Sequence, residues 1–115
     1  MSDRALFIGW NRVIAGREAQ ATELFQKSIG FYQTCQNEGK IDSFEPVILK
    51  AHGGDLNGFV IIRGDQNRIA AFREDDAFVD IVLECGYCLD GFGTVEGFIG
   101  DGIQTIMERW IKVIS

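Results

Sequence analysis

Cys85-Gly86-Tyr87-Cys88 has the spacing of a thiol–disulfide exchange site. In that chemistry the motif opens a helix, and the positive end of the helix dipole stabilises the attacking thiolate. Here the order is reversed. Phe78, Ile81, Val82 and Cys85 recur at helical spacing, so Cys85 closes an apolar helix face, and Gly86 is expected to end the helix. A helix C-terminus disfavours negative charge, and the carboxylates Glu84 and Asp90 push the thiol pKa further up. Structural cysteines are the expectation. A zinc site needs more ligands, and neither Cys35 nor His52 has a paired spacing with this motif, so no metal is expected.

His52 is the only histidine, and it lies in His52-Gly53-Gly54-Asp55-Leu56-Asn57-Gly58, a segment built to reverse the chain. It reads as a polar loop residue, and no Ser-His-Asp set can be assembled around it. Trp10 and Asn11 end the first apolar run. An Asn amide can hold a carbonyl or enolate oxygen while an aromatic wall excludes water, which makes Asn11 and Trp10 the candidates for catalysis. The plain alternative is a core aromatic followed by a strand terminator. Alternation places Cys88, Asp90, Phe92, Thr94, Glu96 and Phe98 on one face of a last strand; Ser43, Glu45 and Val47 share a face, as do Phe59, Ile61 and Arg63. If those faces line an interior, Glu45, Arg63 and Glu96 must be paired, solvated or bound to ligand; at strand ends they are ordinary rim residues. The ligand-binding candidates are therefore Trp10, Asn11, Glu45, Arg63, Phe92 and Glu96. The Gly-rich stretches 91–93 and 97–102 match neither a phosphate loop nor a dinucleotide fingerprint, and no cofactor is expected.

The elements that must position these residues follow from periodicity. Ala5 to Trp10 is an apolar run of strand length. Ala21, Leu24, Phe25, Ser28, Tyr32 and Cys35 form one helical face, with Gly39 placed for a left-handed C-cap. Ile41 to Ala51 and Gly58 to Arg63 are extended, and Pro46 consigns the first of them to a sheet edge. Asp65 or Asn67 caps a short helical turn through Phe72, and Asp75 caps a helix ending near Cys85. Cys88 to Ile99 reads as the last strand. Asp101 is expected to cap an amphipathic helix whose stripe is Ile103, Ile106, Met107, Trp110, Ile111 and Ile114, packed on its own domain or a partner or plugging a cavity mouth. The order β-α-β-β-α-β plus a C-terminal helix is the split βαβ, ferredoxin-like arrangement of an α+β protein, with the first and third strands central and helices on one face.

The 115 residues form one domain, 1–115, of ordinary globular composition. A formal net charge of -6 with scattered basic residues argues against nucleic acid and acidic membrane surfaces as partners. The first residues lack the apolar core and cleavage site of a signal peptide, no stretch is long enough to span a bilayer, and three cysteines do not suit a disulfide framework. A cytoplasmic location is the simplest expectation.

Both faces of the central strands are apolar, because Phe7 alternates with Leu6 and Ile8, and Phe59 and Ile61 with Val60 and Ile62. Helices cover one face only, so a second copy is expected on the other, giving a homodimer in which two sheets pack as a barrel. The element order, together with Ala15-Gly16-Arg17-Glu18 after a short first strand, resembles the dimeric α+β barrel superfamily of antibiotic-biosynthesis-monooxygenase-like proteins over roughly Ala5 to Ile99. The resemblance implies this dimer and a cavity between sheet and helices. It also brings in cofactor-independent oxygenases, in which Trp10 and Asn11 would act on an aromatic or polyketide-like substrate. Haem degradation, which in similar proteins needs a second-helix histidine, is disfavoured because residues 66–86 contain none. Three readings stand: a homodimer binding a small, partly apolar organic molecule, a monooxygenase-like enzyme, and a structural or regulatory dimer with a filled core.

Overall fold

A computed structural model describes residues 2–115. The elements are β1 (Arg4–Trp10), β2 (Arg12–Val13), α1 (Glu18–Asn37), β3 (Ser43–Ile48), β4 (Gly58–Gly64), α2 (Gln66–Glu74), α3 (Asp76–Cys88), β5 (Leu89–Asp90), β6 (Gly93–Phe98) and α4 (Asp101–Ile114). The main sheet is antiparallel in the order β3-β4-β1-β6, so the first and third long strands are central and the Pro46 strand is an edge, as the sequence leads one to expect. The short β2 and β5 pair beside it, Arg12 with Asp90 and Val13 with Leu89.

Alternation along the strands sends one set of side chains to the helices. Leu6, Ile8, Val60 and Ile62 pack with Tyr32, Cys35, Ile41, Ile69, Phe72 and Phe78 in a single buried cluster. Aromatic edges tie it together: Phe72 lies 4.5 Å from Phe78 and 6.0 Å from Tyr32, which in turn lies 5.9 Å from Phe44. A second cluster joins α1 to α3 through Ala21, Leu24, Ile81, Cys85 and Cys88. The helices are set by their caps. Asp65 accepts from the Arg68 backbone N–H at the start of α2, and Asp75 accepts from Ala77 N–H at the start of α3. Gly39, at φ +75°, leaves α1 in the left-handed conformation expected of its C-cap.

Several boundaries differ from the sequence reading. Gly86 does not end α3; the helix continues to Cys88, because Phe78, Ile81, Cys85 and Cys88 form one unbroken buried stripe. The last strand is accordingly not Cys88 to Ile99. Leu89 and Asp90 pair with β2, the chain turns at Gly91 (φ +64°), and β6 begins at Gly93. Only glycine fits that turn, because a Cβ on Gly91 would lie 2.9 Å from the Asn11 Cβ. The strand expected over Ile41 to Ala51 shortens to Ser43–Ile48. Gly100, not Asp101, caps α4, at φ 54°, and Asp101 occupies its first turn.

The face of the sheet opposite the helices carries Phe7, Phe59, Ile61 and Val47, with Val95 58% exposed. Phe7 and Phe59 stack there at 5.2 Å. The chain covers this face with none of its described helices. Its last helix does not pack its apolar stripe on its own domain either: Met107, Trp110 and Ile111 are 44, 55 and 54% exposed. The start of α4 is fixed to β1, where Gly102 sits against the Asp3 backbone. Thr105, Ile106 and Arg109 then flank a groove beside Arg4 and Phe98, so that Ile106 alone of the stripe is half-buried and the other five residues stay exposed.

Candidate functional site

An apolar opening lies between α1 and the helix-side face of the sheet, with a volume of about 350 Å³. Its walls come from seven elements or turns: Ile8 and Trp10 on β1, Val13 on β2, Leu24, Phe25, Ser28 and Tyr32 among others on α1, Ile48 on β3, Val60 on β4, Cys85 on α3, and Leu89 and Phe92 around β5. No lining residue is charged. Ala21, Ser28 and Cys85 contribute short side chains to this lining.

Trp10 forms one wall. Its indole lies over Gly58, its cross-strand partner, and meets the Phe25 ring edge-on at 6.3 Å. The polar groups of the lining are few and mostly committed. Ser28 Oγ donates to the Leu24 carbonyl at 2.7 Å, and Thr22 Oγ1 donates to the Glu18 carbonyl at 2.9 Å. Tyr32, 2% exposed, lies one helical turn from Ser28 in the same lining, and burial raises its pKa well above the usual tyrosine range. Burial, with the neighbouring Cys88 and Glu84, pushes the Cys85 thiol up to about 12. Both groups are neutral at physiological pH.

All three cysteines are free and buried. Burial also raises the Cys35 and Cys88 pKa values. Arg17 locks the C-terminal end of α3: it donates to the Tyr87 carbonyl at 3.0 Å and stacks on the Tyr87 ring at 3.9 Å. Cys85-Gly86-Tyr87-Cys88 is thus the packed end of a helix, with no exposed, acidic thiol of the kind that exchange chemistry needs. His52 sits in the exposed 49–57 loop, where its Nε2 lies 2.7 Å from the Leu56 carbonyl oxygen. Among the described residues, no three His, Cys, Asp or Glu side chains are grouped where they could hold a metal ion, and no helix is long and apolar enough to cross a membrane.

The six candidate site residues fall in three places. Trp10 and Phe92 line the cavity together. Asn11 lies just outside it, in the bend between β1 and β2. There its backbone N–H donates to the Asp90 carbonyl at 2.9 Å, and its side-chain oxygen accepts from Asn57 Nδ2 at 2.6 Å. Glu45 and Arg63 form a 2.9 Å ion pair on the uncovered face of the sheet. Glu96 stands on the opposite face, because it pairs with Leu6, and it is exposed at the β6 edge. The cavity residues that sequence reasoning passed over, chiefly Tyr32, Ser28 and Cys85, had read as ordinary core. The run of short residues on two facing helical stripes was the available signal.

No protein-family model and no curated protein matches the chain. Among solved structures, it is similar to a dimeric protein of unknown function and ferredoxin-like fold from Bacteroides fragilis. The TM-score is 0.60 at 9% identity, covering 84% of this chain and 96% of that one. It is also similar to SnoaB, a cofactor-independent oxygenase from Streptomyces nogalater, with a TM-score of 0.50 at 16% identity, covering 86% and 93% of the two chains. At such identities the likeness speaks for architecture, and it agrees with the element order read from the sequence. The chain has a ferredoxin-like α+β fold.

Proposed function

We propose that this chain is a small-molecule-binding protein that works as a homodimer, with the cavity beneath α1 as its site. One observation carries the reading. A cleft of about 350 Å³ beneath α1 has apolar walls and aromatic side chains at Trp10, Phe25, Tyr32 and Phe92. Apolar clefts of this size with aromatic walls are where small organic ligands bind. Trp10 and Phe92 are the binding residues of the candidate set. Glu45 and Arg63 belong to the sheet-to-sheet dimer face, and their ion pair contributes to the register of that contact. The dimer is supported by the uncovered Phe7, Phe59 and Ile61 face and by the dimeric state of the Bacteroides fragilis neighbour. Three free, buried thiols suit a reducing compartment such as the cytoplasm.

Native mass spectrometry of freshly purified protein tests both parts. Twice the mass of the chain with a retained small molecule supports the reading. A monomer without adduct, which also fails to bind apolar fluorescent probes, overturns it.

A second reading, a cofactor-independent oxygenase, rests on the aromatic wall at Trp10 and on the shared fold with SnoaB. In it Asn11, whose own amide N–H groups remain free to donate, would steady a substrate oxygen at the cavity rim. Oxygen uptake with aromatic quinol substrates that drops in Asn11→Ala supports this reading, and equal rates in the two proteins remove Asn11 from it.

A further inference from the structure

We infer that the cavity is built for a neutral molecule of two to three fused or linked rings carrying one hydrogen-bonding group, which the Tyr32 hydroxyl anchors. This rests on the binding function proposed above and names the ligand class of the same site.

Size sets the first limit. A dry cavity of about 150 Å³ takes one benzene ring, so about 350 Å³ takes two or three rings and little more. Charge sets the second. None of the residues in the wall is ionised: the lining contains no Asp, Glu, Lys, Arg or His, and Tyr32 and Cys85 keep their protons. Charges just beyond the wall are already matched. Glu84, whose field reaches Cys85, is paired with Lys27 at 3.8 Å, and Arg17 is spent on Tyr87. A carboxylate or ammonium entering the cavity would lose water and meet no counter-charge.

Polar capacity sets the third. The protons of Ser28 and Thr22 are used on the carbonyls of their own helix. Ser28 therefore keeps only acceptor capacity, and Tyr32 is the lining residue whose hydroxyl proton is not spent on a carbonyl of its own helix, so it can serve a ligand's polar group. One such partner among apolar walls favours a ligand that buries a single polar group there, since a second one buried against these walls would lack a partner.

The test uses the full chain with Trp110→Phe, so that Trp10 alone reports binding at pH 7. The probes are naphthalene, 2-naphthol, 2-naphthoate and 2-naphthylmethylammonium. 2-Naphthol is expected to bind at least about tenfold more tightly than either ion. In Tyr32→Phe the 2-naphthol affinity should fall by about fivefold to tenfold while naphthalene is unaffected, a ratio that a purely structural role for Tyr32 would not move. Either ion binding as tightly as 2-naphthol overturns the neutral-ligand inference and leaves the binding function standing. An unchanged 2-naphthol to naphthalene ratio in Tyr32→Phe overturns the anchor. Failure of all four probes removes the inference together with the binding function beneath it.

Discussion

The Trp10 indole occupies the space into which a Gly58 side chain would project: a Cβ built on Gly58 lies 2.7 Å from Trp10 Cε2 and 2.9 Å from Nε1. The two residues are direct cross-strand partners on β1 and β4. The absence of a side chain at 58 therefore holds the tryptophan flat against the sheet as a cavity wall. Gly58→Ala should force the ring upward into the cavity, with an overpacking cost of about 1–3 kcal/mol. A blue- or red-shifted Trp10 emission and at least a several-fold loss of 2-naphthol affinity are the expected readouts. Wild-type emission and affinity in Gly58→Ala would show that Trp10 does not depend on Gly58 for its position.

Cys85→Ala tests the nature of the Cys85-Gly86-Tyr87-Cys88 segment. The thiol is 8% exposed and packs between α1 and α3. Its removal should cost about 1 kcal/mol of stability, as loss of a small buried side chain does, read as a lower urea midpoint. Neither wild type nor variant should reduce insulin disulfides. Turnover in the wild type that vanishes in the variant would make the motif a redox centre after all.

Alkaline pH should weaken the fold. Burial, followed by Cys88 and Glu84, raises the Cys85 pKa from 9.0 to about 12, and burial raises that of Tyr32 in the same direction. The folded state therefore keeps protons that the unfolded chain gives up. Stability from these groups is complete below the unfolded thiol value of 9.0 and drains away as pH rises toward the folded value. Under reducing conditions, urea midpoints should stay level near neutrality and fall above about pH 9. The fall should be shallower in Cys85→Ala. A flat profile up to about pH 10.5 would contradict the buried, neutral state assigned to Cys85.

The elements that the sequence revealed well are those with a single dominant period. The stripe Ala21-Leu24-Ser28-Tyr32-Cys35 and the caps Asp75 and Gly39 fix α1 and α3 by local chemistry alone. The double-sided apolar character of β1 and β4 likewise leads directly to their central place. Around Gly86 two signals competed. Glycine and the alternation of residues 88–98 pointed to a strand, whereas burial of Cys88 rewards one more helical turn, and tertiary packing decided. Glu96 and Glu45 could not be assigned to opposite faces without knowing that Glu96 pairs with Leu6 and Glu45 with Ile61, which is a matter of register between distant strands. The cavity was hidden for a related reason: empty space belongs to the fit between elements, and Ala21, Ser28 and Cys85 look like any core residues when each helix is read separately.

The apolar stripe of α4 supplies the sharpest test of assembly. A helix of 14 residues is marginal in water on its own, and this one leaves Ile103, Met107, Trp110, Ile111 and Ile114 each between 44 and 61% exposed. Monomeric proteins seldom present that much contiguous apolar surface beside a second uncovered patch, here the Phe7, Phe59 and Ile61 face. In the homodimer proposed above, a second copy is expected to cover both patches. Met107→Glu combined with Ile111→Glu places two charges in the stripe without touching the buried clusters. The double variant should remain folded by circular dichroism and elute as a monomer, whereas the wild type scatters light as a dimer at micromolar concentration. A variant that stays dimeric would assign the interface to the sheet alone, and a monomeric wild type would remove the dimer.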